Sequence, residues 1–423
     1  MTHACLDRAN RGLPAALLLF ALLGCDATPA ARGARGQTLV VRDRAGSIEL
    51  QEGSGTGVGS PRCYLAVSSD FSETAAIHAV EVGERAIAAT EALTSIATDA
   101  LVRVVGERVV VLNRYPGSTV QTLDPQRRFA TVRVHRLEDG SNPSDVVALP
   151  DGRTLLALYG AGRPIDGGEL RVVDLEATDE AGFEIERHSL AEWTEDDGNP
   201  EATRLFVRGD TVFVLLQRLD AYPGCSERGR GAVVALDAST LGPVPRFSGS
   251  PMLELAGCNP YAAALDEAGQ LWIAEAGAFR WSGSTEDDGG IERVDLESGR
   301  TFGLVATESV LGGDVSGVAV QAGTLWATVA DAAFSTRVIR GRVGSGGLEA
   351  APTAWSGENV FDIVPAGQGA LVADRNAASP AIAWIDAEGT ALARVVLPAP
   401  AVSFADLGAR ETCAGLEALR RPD

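Results

Sequence analysis

Residues 259–274 read Asn259-Pro260-Tyr261-Ala262-Ala263-Ala264-Leu265-Asp266-Glu267-Ala268-Gly269-Gln270-Leu271-Trp272-Ile273-Ala274. An Asn-Pro pair opens the stretch, a short apolar run follows, Gly269 interrupts it, and a second apolar run carries Trp272. Apolar and β-branched runs bounded by Gly, Asp and Pro are strand signals, so the stretch reads as two paired strands. After a polar loop comes a third run, Ile291-Glu292-Arg293-Val294-Asp295-Leu296. Together these make up most of one four-stranded sheet.

The pattern recurs. A Gly lies ten residues beyond positions 96, 142, 199, 259, 313 and 359, at Gly106, Gly152, Gly209, Gly269, Gly323 and Gly369. Thirteen residues beyond the same positions stand Val109, Leu155, Val212, Trp272, Trp326 and Val372. The openings are 46, 57, 60, 54 and 46 residues apart, with the variation falling in loops. An acid closes the third run at Asp124, Asp174, Asp237, Asp295 and Asp386. Four strands in each unit of this length is the sequence form of a propeller blade. The expected fold is all-β, a β-propeller of four-stranded blades. Residues 63–94 hold three further strand-like runs, Cys63 to Ser68, Ala75 to Val82 and Arg85 to Leu93, without an innermost one, and Pro398 with Gly408 repeats the opening offset around Val402-Ser403-Phe404-Ala405. The last strand is therefore expected to enter the first blade and close a ring of seven, against six if those ends do not meet. Closure hides sheet edges that an open array would expose.

At 423 residues the chain is too long for one ordinary domain unless it is a barrel, propeller or solenoid. All 36 basic residues are Arg, and a net charge of −21 argues against nucleic acid, which is held by clustered Lys and Arg. Arg8 and Arg11 precede an apolar run, Leu13 to Leu23, too short for a stable bilayer span. Leu22-Leu23-Gly24-Cys25 resembles the lipobox of bacterial lipoproteins. That resemblance implies cleavage before Cys25 and acylation of it, with more than one chain needed for stable anchoring. The division expected is a leader over 1–24, a lipidated Cys and flexible tether over 25–60, and the propeller over 61–423. Within the tether, Thr38 to Arg42 and Ser47 to Gln51 could pair as a small hairpin. The resemblance places the chain at the inner or outer membrane, facing the periplasm or the cell surface; a monomer is expected.

The stretch from Pro260 to Ala274 resembles the blade pattern of bacterial NHL-type and YVTN-type propellers, and the likeness extends loosely over residues 61–408. It implies the fold and says little of activity, since such propellers host many functions.

With Cys5 in the leader and Cys25 given to lipid, Cys63, Cys225, Cys258 and Cys413 remain. Four cysteines in an exported chain allow three pairings. The strand order puts Cys225 and Cys258 on one face of the ring and Cys63 and Cys413 on the other, favouring 225–258 and 63–413.

Catalytic signatures are scarce. His78, His135 and His188 fall on strands of different blades, and there is no Gly-x-Ser-x-Gly, His-Glu-x-x-His or Cys-x-x-Cys. The string Thr194-Glu195-Asp196-Asp197-Gly198 and its copy at 285–289, with Glu275, Asp331 and Asp374 at strand ends, offer oxygens to a hard cation but also suit turns. At the mouth of the ring, Asn142, Asn199, Asn259 and Asn359 would converge on the axis with Glu201 and Asp314. Six-bladed sugar-lactonase-like propellers hold Ca²⁺ there as a Lewis acid; this chain departs from them in blade number and shares only the Asn. Long loops at 160–168, 218–231 and 276–290 carry Tyr222, Arg228, Arg230, Phe279, Arg280 and Trp281, the residue types that anchor binding surfaces. The reading is a lipid-anchored binding or scaffold module with an envelope protein, peptide or glycan as partner and no cofactor beyond a possible Ca²⁺. Its alternative is a Ca²⁺-dependent lactonase- or esterase-like hydrolase working through the axial residues.

Overall fold

The computed structural model describes residues 39–43, 46–50, 62–83, 86–114, 116–160, 168–194, 198–219, 230–279, 284, 286–333, 335–344, 347–360 and 362–408. These residues form seven antiparallel sheets, each a blade with strands A to D from the axis outward. Blades 2 to 7 span residues 100–136, 143–189, 202–258, 260–307, 314–358 and 363–396. Blade 1 takes its strand A from the C-terminal segment: Ala401–Gly408 pairs with Arg62–Ser69, as the sequence predicts. The chain is a seven-bladed β-propeller.

The reason for the stack lies in the second strand of each blade. Val109 and Val111 point into the core shared by blades 1 and 2, whereas Val110 and Leu112 point into the one shared with blade 3. Leu271 and Ile273 face blade 4, and Trp272 and Ala274 face blade 6. Side chains alternate across a strand, so a strand apolar on both faces must be covered on both. Seven such cores lie between seven neighbouring pairs, including one between blades 7 and 1.

Polar latches cross the same joints near the axis. Asp145 Oδ2 accepts the Leu205 N–H of the next blade at 2.8 Å, and Asp362 Oδ2 accepts Phe404 N–H at 3.0 Å across the closing joint. The Asp that ends strand C is local turn chemistry throughout. Asp124, Asp174, Asp237, Asp295 and Asp386 each accept the N–H two residues on.

Two elements differ from expectation. The outer edge of blade 1, expected as the single run Arg85–Leu93, is two short pieces, Ile87–Ala89 and Thr94–Ser95, both paired with Ala75–Val82. The run is too poor in large apolar residues to hold one straight strand. The hairpin expected near residues 38–51 forms as Leu39–Asp43 and Gly46–Leu50, but it does not stand alone. Its second strand pairs with Ala391–Val396 and lengthens blade 7 to six strands.

Ring closure yields the first prediction. A chain ending at Pro400 leaves Arg62–Ser69 without its inner partner, and should lose the single cooperative melting transition seen by calorimetry. Leu155→Ala, at a fully buried position between blades 3 and 4, should keep that transition and lower stability by about 2–5 kcal/mol in chemical unfolding.

Candidate functional site

The residue just before strand A offers its carbonyl to an N–H at the end of strand B or just past it. The pairs are Pro400 with Ser69, Asp99 with Arg114, Asn142 with Tyr159, Glu201 with Gln217, Asn259 with Ala276 and Asp362 with Ala373, at 2.8–3.1 Å. At Asn142, Glu201 and Asn259 this residue is left-handed, with φ of 48°, 47° and 54°. Asn tolerates that conformation through its short side chain, so the recurrent Asn has a local backbone role. The ten-residue offset slips against this frame in blades 2, 4 and 7. There, two-residue turns at Gly106-Glu107, Gly209-Asp210 and Gly367-Gln368 replace the longer turns 149–153 and 266–269. The frame therefore selects Asp99, Glu201 and Asp362 where the sequence offset selects 96, 199 and 359.

Two or three residues further on, five of the seven inner strands carry a β-bulge. The skipped residues are Ser144, Thr203, Tyr261, Ser316 and Val402. A bulge leaves one residue unpaired and re-aims its side chain. All five line a cavity of about 140 Å³ on the ring axis, at the face where strands A begin. By volume it has room for roughly five waters.

The wall is polar and organised. Arg114 Nε donates to Asp99 Oδ1 at 2.9 Å, and its Nη2 makes a second contact with the same oxygen. Tyr159 Oη donates to Gln217 Oε1 at 2.7 Å, Gln217 Nε2 to Asn259 Oδ1 at 2.9 Å, and Asn259 Nδ2 to the Gly277 carbonyl at 3.3 Å. This chain of bonds fixes three side chains from three blades. Phe71 lines the cavity and carries the Arg375 guanidinium 4.7 Å above its ring. Desolvation in the narrow cavity pushes the Tyr261 phenol up to about 12, with Arg114 and Arg375 opposing and Asp99 and Asp362 reinforcing the shift. Burial raises Asp362 to about 6, resisted by Arg103 and by the Phe404 and Ile363 amides. Burial also lowers Arg375 to about 10.

Of the axial residues expected from sequence, Asn142 and Asn259 line this cavity; Asn199, Glu201, Asp314 and Asn359 are not in its wall. Asn199 and Glu201 bond each other, and Glu201 Oε2 accepts Leu219 N–H at 2.7 Å, bracing the loop after strand B. Phe279 reaches the cavity, and Arg230 opens a strand C and accepts a bond from Arg218 through its carbonyl. Tyr222, Arg228, Arg280 and Trp281 lie outside the described residues, as do Cys25, Cys225 and Cys413. Cys63 and Cys258 are buried in blades 1 and 4. His78 is fully buried between Ser68 and the Thr90 carbonyl, a structural role. Sequence reasoning missed Asp99, Arg114, Tyr159, Gln217, Tyr261, Asp362 and Arg375. A polar residue directly after the apolar strand B was the available signal for Arg114, Tyr159 and Gln217.

A second group of acids sits beside the cavity in blade 5. Asp287 accepts from the N–H and hydroxyl of Ser309, and Asp288 Oδ1 holds Ala278 N–H at 3.0 Å, so these two acids brace their own loop and the short helix Glu308–Leu311. Glu275 is fully buried next to Glu292, whose Oε2 accepts Ala256 N–H at 2.6 Å. Burial, reinforced by the neighbouring carboxylate, raises Glu275 well above the usual carboxylate range; burial raises Glu292 too.

The donor set does not suit an axial Ca²⁺. That ion takes six to eight oxygens, several of them carboxylate. Here Asp99 is committed to Arg114, the Asn259 oxygen is committed to Gln217, and guanidinium groups share the space. Among the described residues there is also no cluster of three or more His, Cys, Asp or Glu side chains able to hold a metal.

No family model matches the chain, and no curated protein matches it in sequence. Solved structures do match in shape. A candidate 6-phosphogluconolactonase from Bacteroides fragilis superposes with a TM-score of 0.57 at 12% identity, covering 84% of this chain and 100% of its own. The periplasmic gluconolactonase of Pseudomonas aeruginosa gives 0.57 at 14%, covering 83% and 100%. A candidate 6-phosphogluconolactonase from Bacteroides uniformis gives 0.55 at 14%, covering 82% and 100%. At these identities the likeness establishes the propeller fold.

The buried pair in blade 5 gives a sign-definite prediction. Native Glu275 and Glu292 keep protons that the unfolded chain releases above about pH 4.5, so their contribution to stability falls as pH rises through the range between unfolded and folded pKa. Glu275→Gln should flatten the decline in melting temperature between pH 5 and pH 8 and raise the value at pH 8.

Proposed function

We propose that this chain is a small-molecule hydrolase of the cell envelope, acting in the axial cavity on the lactone of a small hydroxylated acid. The observation that carries the reading is the convergence on the axis of a carboxyl raised to about 6, a desolvated phenol and guanidinium groups in a chamber of about 140 Å³. The Gln217 and Asn259 amides, each bonded once through its oxygen and once through its nitrogen, keep a lone pair and an N–H for a polyol, and the Asn142 side chain lines the same wall. In the reaction, water attacks the lactone carbonyl carbon and passes a proton to the Asp362 carboxylate. Tyr261 Oη donates to the oxygen on which negative charge develops, a contribution that is large where water is excluded. The ring C–O bond then breaks, and its oxygen takes the proton back from Asp362. The gluconolactonase activities named for the structural neighbours support this reading. Anchoring through acylated Cys25 and the disulfides 63–413 and 225–258 belong to the same proposal.

A second reading, a ligand-binding module without turnover, is favoured by one detail. Both Asp362 oxygens already accept backbone N–H groups, from Ile363 and Phe404 at 3.0 Å. Proton release from sugar lactones by the purified protein separates the two. For the hydrolase, kcat/KM should rise with pH through about 6 as Asp362 ionises, and Asp362→Asn should abolish that limb. Tyr261→Phe should lower kcat about 100-fold with little change in KM. Binding of the lactone without proton release would establish the binding module instead.

Peptide mapping without reductant should yield the linked pairs Cys63–Cys413 and Cys225–Cys258. Any other pairing would refute the strand-order argument for them.

A further inference from the structure

The wall of the axial chamber has two unlike sides. The chain around blades 3 to 5 supplies the amides of Asn142, Gln217 and Asn259, whereas that around blades 1 and 2 supplies Phe71, Ala100, Leu101 and Val402. Asp99 and Arg114, on the second side, are bonded to each other. Several hydroxyls in the wall are also engaged. Ser144 Oγ donates to the Ala202 carbonyl at 2.6 Å, Thr203 Oγ1 to the Leu215 carbonyl at 3.2 Å, and Ser316 Oγ bonds Thr328 Oγ1 at 2.9 Å. Rings are concentrated here: Phe71, Tyr159, Tyr261 and Phe279 are four of the twenty lining residues, in a chain that is 5% aromatic. Phe71 has an uncommon backbone, with a left-handed φ of 58° that bulky side chains rarely adopt. Ser69 Oγ accepts its N–H at 2.9 Å, and Asp70 Oδ1 accepts the N–H groups of Ser72, Glu73 and Thr74 at 2.8–2.9 Å, so the turn presenting the ring is braced. Strain held by bracing of this kind gathers where ligands are gripped.

We infer that the axial site takes the lactone of a hydroxy acid bearing one aromatic ring, the ring seated against Phe71 and Leu101 and the lactone oxygens toward the amides of Gln217 and Asn259. This rests on the axial cavity being the site and adds the chemical class of what enters it. An apolar cavity of about 150 Å³ holds one benzene, so a chamber of about 140 Å³ accepts a single arene. Contact between aromatic rings adds to the burial of their area, which favours a flat ring over a saturated one of similar size. The two lining guanidiniums, Arg114 and Arg204, are balanced by the two lining carboxyls, Asp99 and Asp362, which suits a neutral lactone.

Calorimetric titration of the full-length protein with melilotate, its ring-saturated analogue and D-gluconate tests this. Melilotate is the open hydroxy acid of an aryl lactone. Each of the three carries one carboxylate and at least one hydroxyl, so charge cancels across the series. Melilotate should bind roughly 10-fold tighter than gluconate and about 3-fold tighter than the saturated analogue. Phe71→Leu should remove most of its advantage over both and leave gluconate affinity within about 2-fold of the parent protein. Leu101→Ala should also weaken melilotate, and it is the deciding variant should Phe71→Leu fail to fold. Gluconate binding as tightly as melilotate, or the saturated analogue equalling it, overturns the inference and leaves the cavity reading standing. A melilotate advantage untouched by both substitutions places the ring elsewhere and overturns it too. No binding of any of the three at roughly 10 mM overturns both. Affinity is read without turnover, so the outcome is separate from whether the site hydrolyses its ligand.

Discussion

Everything on the axis depends on the pairing of Ala401–Gly408 with Arg62–Ser69. This antiparallel contact joins residues more than 330 positions apart and completes the blade whose two faces are covered by blades 2 and 7. Without it two apolar sheet faces would meet water and the ring would have ends. The hydrophobic term per joint is the ordinary one for buried aliphatic side chains, but a ring spends it on every side of every blade. The Asp362–Phe404 and Ser403–Val102 contacts then register the closing strand against its neighbours on both sides.

A closed ring brings seven strand beginnings to one place, and the bulges decide what appears there. Regular pairing would keep the second residue of each strand A in the ladder. The skipped residue instead leaves the ladder and reaches the axis in five blades. Blades 2 and 7 pair without a bulge and supply Asp99, Leu101 and Asp362 to the wall. The asymmetry of the site thus comes from which blades break their own ladder. A near-symmetric scaffold can in this way present an uneven set of acids, amides, hydroxyls, guanidiniums and two phenols.

The ring was legible in the sequence because its cause is compositional. Runs such as Val109–Leu112 and Leu271–Ala274 are apolar at successive positions, which only a strand covered on both faces permits. The closing strand was legible because its opening offset repeats. The site was mostly not legible. A bulge is a property of the pairing between two strands, and Tyr261 looks like any other member of its apolar run until the skip from Pro260 to Ala262 is seen. Asp99, Arg114, Asp362 and Arg375 come from blades at opposite ends of the chain, and no spacing connects them. The repeated Asn was visible, but its recurrence reports a left-handed backbone step at Asn142 and Asn259, and the slip of the offset in three blades pointed to the wrong neighbours.

The short hairpin on the rim of blade 7 ties an early stretch of chain to the ring. Gly46–Leu50 pairs with Ala391–Val396 and holds Leu39–Asp43 beside it, so under the proposed acylation of Cys25 only residues 26–38 would separate the ring from its anchor. Fully stretched, those residues reach about 45 Å, roughly the girth of the bilayer with its headgroups. If the proposed acylation of Cys25 holds, a body so moored would keep within one molecular diameter of its membrane, and its axial chamber would draw only on that thin layer.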